Sequence, residues 1–249
     1  MADDDLLGRY RALVDSDEAH DESVLQEFFE RNPAMLPGSH SLDGNSGHPP
    51  WAWAVISQPR LPELSTKRPD FMWIAVDSTF VYPILIEIET PYKRWWHSEK
   101  VVEHSELTAA RSQVTHWRRW FAQHGPSVFC DTYQLDRNLR ELTLAPRYVI
   151  IHGRRNEASK GRSRSETRGG LTINDSSLKL WTFDHLVPDP LAARYFTVRV
   201  DDEGYHVHPN SPPVDEAKLP DEVRHLIIDF DSAAAGPRPG HRFAPPKPR

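Results

Sequence analysis

Two apolar runs separated by a short turn constrain this chain most. Residues 71–76 read Phe-Met-Trp-Ile-Ala-Val, and residues 81–86 read Val-Tyr-Pro-Ile-Leu-Ile. Aromatic and β-branched residues in runs this short suit strands, not helices. Only the turn at Asp77-Ser78 parts them, so the two strands are expected to pair antiparallel as a hairpin. The second run is apolar at successive positions, which suits a strand covered on both faces. The expected fold class is therefore α/β: a mixed central β-sheet flanked by helices.

Carboxylates stand at one end of this hairpin. Asp70 opens the first strand, within Arg68-Pro69-Asp70-Phe71, and Glu87-Ile88-Glu89 closes the second. In an antiparallel pair those positions meet at the same end of the sheet. Side chains alternate along a strand, so Glu87 and Glu89 share a face while Ile86 and Ile88 point into the core. Two residues of rise set the two glutamates roughly 7 Å apart, close enough to converge on one ion. Hard cations such as Mg²⁺ or Mn²⁺ prefer these oxygens, and a metal-bound water can attack phosphorus. An Asp after Pro is often only a turn residue, and Glu-X-Glu is often a solvated edge. An Ile-Leu-Ile run leading into Glu87 favours the chemical reading.

Further elements surround the hairpin. A short helix is expected over 6–14, and a stronger one over 23–31 with Val24, Leu25, Phe28 and Phe29 on one face. Asn32-Pro33 stops it. The stretch 37–50 reads as a loop and 51–57 as a strand. Ser105 is expected to cap a helix to about residue 123, whose apolar face carries Leu107, Ala110, Val114, Trp117 and Phe121. Gln113 and Trp117 lie one turn apart there. Gln113 can hydrogen-bond a phosphate, a water or a metal ligand, while Trp117 reads as core. Glu27, on the earlier helix, can aim a further carboxylate at the metal. A weaker helix is expected over 135–142, strands over 147–152 and 178–183, a short helix near 184–186, and a late hairpin from 195–200 and 205–208. The tail from Gly236 is too rich in proline to pack and is expected to be disordered.

The net charge of −6 gives no global field for nucleic acid, so any DNA contact must be local. Two basic stretches offer one. Lys93-Arg94-Trp95-Trp96-His97 mixes cations with aromatic faces able to stack on bases, while at least one of the two tryptophans also reads as packed on the sheet. Arg154, Arg155, Lys160, Arg162, Arg164 and Arg168 lie in a Gly/Ser-containing stretch that reads as a flexible basic loop. Cys130 is the lone cysteine, so neither an internal disulfide nor a zinc knuckle is available. His104, His116 and His124 are spaced irregularly and read as solvent-facing. No apolar run is long enough to span a membrane and the N-terminus is acidic, so a cytoplasmic location is expected.

In this order and spacing the residues resemble the nuclease domain of the Shedu anti-phage defence family, within the PD-(D/E)XK nuclease superfamily. The likeness runs from the Glu27 helix with its Asn32-Pro33 end, through Pro69-Asp70-Phe71 and Glu87-Ile88-Glu89-Thr90-Pro91. It continues with Ser105-Glu106-Leu107, Ala110 and Gln113, then 149–154 and Trp181-Thr182-Phe183-Asp184-His185-Leu186. The resemblance implies a restriction-endonuclease-like domain over 20–190. It would be preceded by an extension over 1–19 and followed by an appendage over 191–235 and the tail 236–249. It implies a Mg²⁺- or Mn²⁺-dependent DNA endonuclease acting on phage or plasmid DNA as a homo-oligomer. Asp70, Glu87 and the Ile88 carbonyl would hold the metal. Glu89 would serve as ligand or base, and Gln113 would position water or phosphate. Arg94, Trp96, Arg154 and Arg155 would contact DNA. The departure is Glu89, where the superfamily carries lysine; Lys93 can reach back to supply that charge. Two other readings stand beside this one: a catalytically weak or inactive module that binds nucleic acid or protein, and a glycosidase acid/base pair at Glu87 and Glu89. Glycosidase carboxylates usually come from separate elements across a cleft, which disfavours the last.

Overall fold

The computed structural model describes residues 2–230 apart from 39, 41, 43–47, 65–66, 98–100 and 174. The proline-rich tail 236–249 and part of the 37–50 loop lie outside the described residues. The expected hairpin forms its centre. Strands β2 (Phe71–Val76) and β3 (Phe80–Ile88) pair antiparallel, with Phe71 opposite Ile86 and Val76 opposite Val81. Asp77 makes the turn: its carboxylate accepts the backbone N–H of Thr79 and of Phe80, each at 2.7 Å.

The hairpin sits inside a larger mixed sheet. β1 (Ala54–Ser57) pairs antiparallel with β2. β4 (Thr143–Leu144) and β5 (Arg147–Ile151) run parallel to β3, and β6 (Leu178–Trp181) runs parallel to β5. β7 (Phe196–Val200) pairs parallel with β1, β8 (Tyr205–Val207) antiparallel with β7, and β9 (Ile227–Ile228) parallel with β8. The order is β6-β5-β3-β2-β1-β7-β8-β9, with β4 alongside β3. The late hairpin forms as expected, but it extends the central sheet.

Alternation along the strands sends side chains into two cores. Phe71, Trp73, Ile84, Ile86 and Val149 pack with Leu25 and Phe29 of α2 (Glu22–Arg31), and with Tyr10 and Val14 of α1 (Ala2–Val14). Met72, Ile74, Leu85 and Ile150 pack on the other face with Leu107, Ala110, Val114 and Trp117 of α3 (Ser105–Thr132). α2 stops where expected; Asn32 leaves the helical region, and its side chain donates to the Phe28 carbonyl at 2.7 Å. α3 differs from expectation at both ends. Its cap is His104, not Ser105, and it continues past Gly125-Pro126, where Gly125 takes φ +70 and interrupts the regular helix. Short helices α4 (Arg137–Arg140) and α7 (Asp221–Arg224) complete loops.

The expected flexible basic loop is helical instead, as α5 (Arg155–Ala158) and α6 (Gly161–Ile173). Its arginines hold it in place. Arg164 pairs with Glu157, and Arg168 donates to Ser159 and the Leu180 carbonyl while lying 5.0 Å from the Trp95 ring centre. Among the described residues no helix is long and apolar enough to cross a membrane.

Candidate active site

The carboxylates meet at the end of β2 and β3. Asp70 is held from both sides: its N–H donates to the Ile86 carbonyl at 3.0 Å, and its carbonyl accepts from Gln58 N at 2.7 Å. Its Oδ2 then reaches across the strand end and accepts the Ile88 N–H at 2.6 Å. Strand parity puts Asp70 and Glu87 on the α3 face, with Met72 and Leu85. Glu87 and Glu89 are buried, at 6% and 5% exposure. Gln113, on α3, donates to Glu87 Oε1, whereas Glu87 Oε2 is buried with no hydrogen-bond partner among the described residues. Glu89 pairs with Lys93, four residues on, and Lys93 Nζ also meets Glu22 Oε1 at 2.6 Å.

Crowding and burial of acids raise their pKa values. Burial pushes Asp70 up to about 7; its hydrogen bond from Ile88 opposes this and the charges of Glu22 and Glu89 add to it. Burial, then the Asp70 and Glu89 charges, hold Glu87 well above the usual carboxylate range. Burial raises Glu89 despite the hydrogen bond and charge of Lys93. Burial works against the Lys93 ammonium, but its bonds to Glu22 and Glu89 outweigh this and raise it.

The structure thus brings Asp70, Glu87, Glu89, Gln113 and Lys93 together, with the Ile88 backbone between them. Glu27 does not join this hydrogen-bonded set. It is exposed and pairs with Arg31 one turn on. The α2 carboxylate joined to it is Glu22, which sequence reasoning missed. A signal was present: Glu22, Leu25 and Phe29 fall three and four residues apart on the stripe that α2 turns to the sheet, and Glu27 falls off it.

The expected DNA contacts fare differently. Trp96 is 1% exposed and donates from Nε1 to the Ala158 carbonyl, so it cannot stack on a base. Trp95 is equally buried, donating to the His152 carbonyl at 2.8 Å. Their indoles fill the space beneath α5 and α6, which sequence reasoning took for open loop. Arg154 is tied to Asp15 and Asp184. Arg94 and Arg155 are exposed. Arg94 holds its own turn through its backbone, which donates to Glu106 and accepts from His152 Nε2. Arg155 meets Asp184 through both its N–H and its guanidinium. His104 and His124 are partly buried and engaged, the first capping α3 and the second meeting Trp120 and Glu63.

Among the described residues no three His, Cys, Asp or Glu side chains form a ready-made metal cluster. The donor set nonetheless suits a hard divalent cation that keeps several waters. Asp70 and Glu87 offer carboxylate oxygens, and the buried Oε2 of Glu87, with no hydrogen-bond partner among the described residues, is open to a ligand. The family model described as Shedu protein SduA, C-terminal, matches residues 19–187. No curated protein matches the chain.

Proposed function

The chain belongs to the Shedu SduA C-terminal family, and from that membership and the carboxylate cluster we propose that it is a metal-dependent DNA endonuclease of anti-phage defence. We assign its mixed sheet with flanking helices to the PD-(D/E)XK class on the same reading. The observation that carries the proposal is the buried Glu87 Oε2, without a hydrogen-bond partner among the described residues, beside a half-buried Asp70.

Asp70 and Glu87, with the Ile88 carbonyl, would hold Mg²⁺ or Mn²⁺. Once bound, the ion would supply Lewis acidity and a water acidic enough to attack a phosphodiester. Gln113 occupies one oxygen of Glu87, which leaves the other without a hydrogen-bond partner among the described residues. The bond from the Ile88 N–H fixes Asp70 on the strand end. Glu89 would take the proton of the attacking water or add a ligand. Lys93 supplies a positive charge within reach of Glu89, in a site where the motif itself carries none. Phage or plasmid DNA is the proposed substrate, and Arg94 and Arg155 offer exposed cations for its backbone. A homo-oligomer is proposed from the family resemblance, to be read by light scattering.

The test is nicking of supercoiled and linear DNA by purified protein in EDTA, Mg²⁺ or Mn²⁺. Asp70→Ala is expected to abolish metal-dependent cleavage with an unchanged circular dichroism spectrum. Full cleavage by that variant would sink the assignment. Glu89→Ala reports whether this glutamate serves in place of lysine.

One observation favours a second reading, a nuclease-fold module that binds nucleic acid or protein without cutting. Glu89 is already closed in an ion pair with Lys93. Metal-independent DNA binding in a gel shift, with no nicking under any divalent ion, would decide for it.

A further inference from the structure

The acidic groups of this site fall into two unequal halves. Lys93 Nζ bonds Glu22 Oε1 at 2.6 Å and Glu89 on its other side. Exposure of the side chains rises outward along this line, from Glu89 at 7% to Lys93 at 28% and Glu22 at 57%. The ammonium therefore enters from the surface and closes one half. Its placement is built into the backbone. Lys93 N donates to the Thr90 carbonyl at 3.3 Å, and Gly153 N donates to the same carbonyl at 3.1 Å.

The other half has no such partner. Asp70 is bonded by a neutral backbone N–H, and Glu87 by a neutral amide on one oxygen and by nothing among the described residues on the other. No ion pair with Lys, Arg or His reaches either carboxylate among the described residues. Burying a carboxylate without a counter-charge is costly, so this half is the one left for an external cation.

We propose that Lys93 is the site's own second cation, holding Glu22 and Glu89 so that the chain takes a single divalent ion, at Asp70 and Glu87. The inference rests on the metal-dependent reading above and adds a stoichiometry and a positioning residue to it. Removing the ammonium would leave Glu22 and Glu89 as a second acidic pair able to take an ion.

The experiment counts Mn²⁺ on the full chain by calorimetry and by electron paramagnetic resonance of free Mn²⁺. One ion per chain is expected for the wild type and two for Lys93→Met. The count should return to one when Glu22→Gln is added to Lys93→Met. Asp70→Asn should weaken the wild-type ion at least tenfold. Two ions or none on the wild type, or one on a folded Lys93→Met, would overturn the inference. Should Lys93→Met fail to fold, the wild type still decides: the ¹⁵Nζ resonance of Lys93 is expected to stay in place at saturating Mg²⁺. Its release to a free-lysine position overturns the proposal. The two readings fail separately. One bound ion with no nicking removes the nuclease and keeps the charge division, whereas nicking with two ions does the reverse.

Discussion

Asp70 is the residue whose chemistry can be read most directly. Its folded-state pKa, about 7, lies above the 3.8 of an unperturbed aspartate. Between those values the folded chain holds more protons than the unfolded chain. This group's contribution to stability is thus complete below about pH 4 and is lost as pH rises through 7. Asp70→Asn keeps an acceptor for the Ile88 N–H and removes the charge. In EDTA it is expected to stabilise the protein at pH 8 and to change little at pH 4. Thermal melts at the two pH values check this; equal midpoints for variant and wild type at pH 8 would refute it. Cation affinity should correspondingly rise through pH 7 as the carboxylate loses its proton. Asp70, Glu87 and Glu89 were legible in the sequence because strand alternation is a local rule. Glu22, one of three glutamates on α2, carries a weaker signal, its place on the stripe of Leu25 and Phe29, and that stripe shows its use only once it docks on the sheet.

The elements around the site depend on one tight approach. Gly153 follows β5 with φ +57, a region that L side chains avoid. A Cβ there would lie 2.6 Å from the Lys93 carbonyl and 2.8 Å from Trp95 Nε1. Gly153→Ala is therefore expected to destabilise the fold by on the order of 2 kcal/mol or more and to displace the Lys93 turn. Urea denaturation measures the first effect, and an Mn²⁺ count above one would register the second. A midpoint equal to that of the wild type would show that the turn has room to spare. The helical state of 155–158 and 161–173 escaped sequence reasoning for a related reason. Glycine and serine there lower helix propensity, while the bonds of Arg164 and Arg168 to Glu157, Ser159 and the Leu180 carbonyl come from tertiary contact.

Across the whole molecule, residues 196–228 and the sheet share one core. β7 pairs with β1, and Phe196, Val198, Tyr205 and Val207 pack in the same cluster as Met72 and Leu85. A polar knot ties them to α2. The buried Glu30 accepts from Ser57 Oγ at 2.7 Å and Asn210 Nδ2 at 3.0 Å, with His208 Nε2 3.4 Å away. Glu30→Ala would leave these partners without their acceptor and is expected to cost about 3 kcal/mol, read by denaturation. A chain ending at residue 195 is expected to lose cooperative unfolding. A sharp transition in that truncation would show that 1–195 folds alone. By itself the sequence determined what neighbours along the chain decide: the hairpin, the apolar faces of α2 and α3, and three carboxylates at one strand end. Tertiary structure alone decided that Lys93 meets Glu22 as well as Glu89, that both tryptophans are buried, and that β7–β9 complete the sheet. Those outcomes turn on contacts between residues far apart in sequence, where side-chain periodicity carries no information.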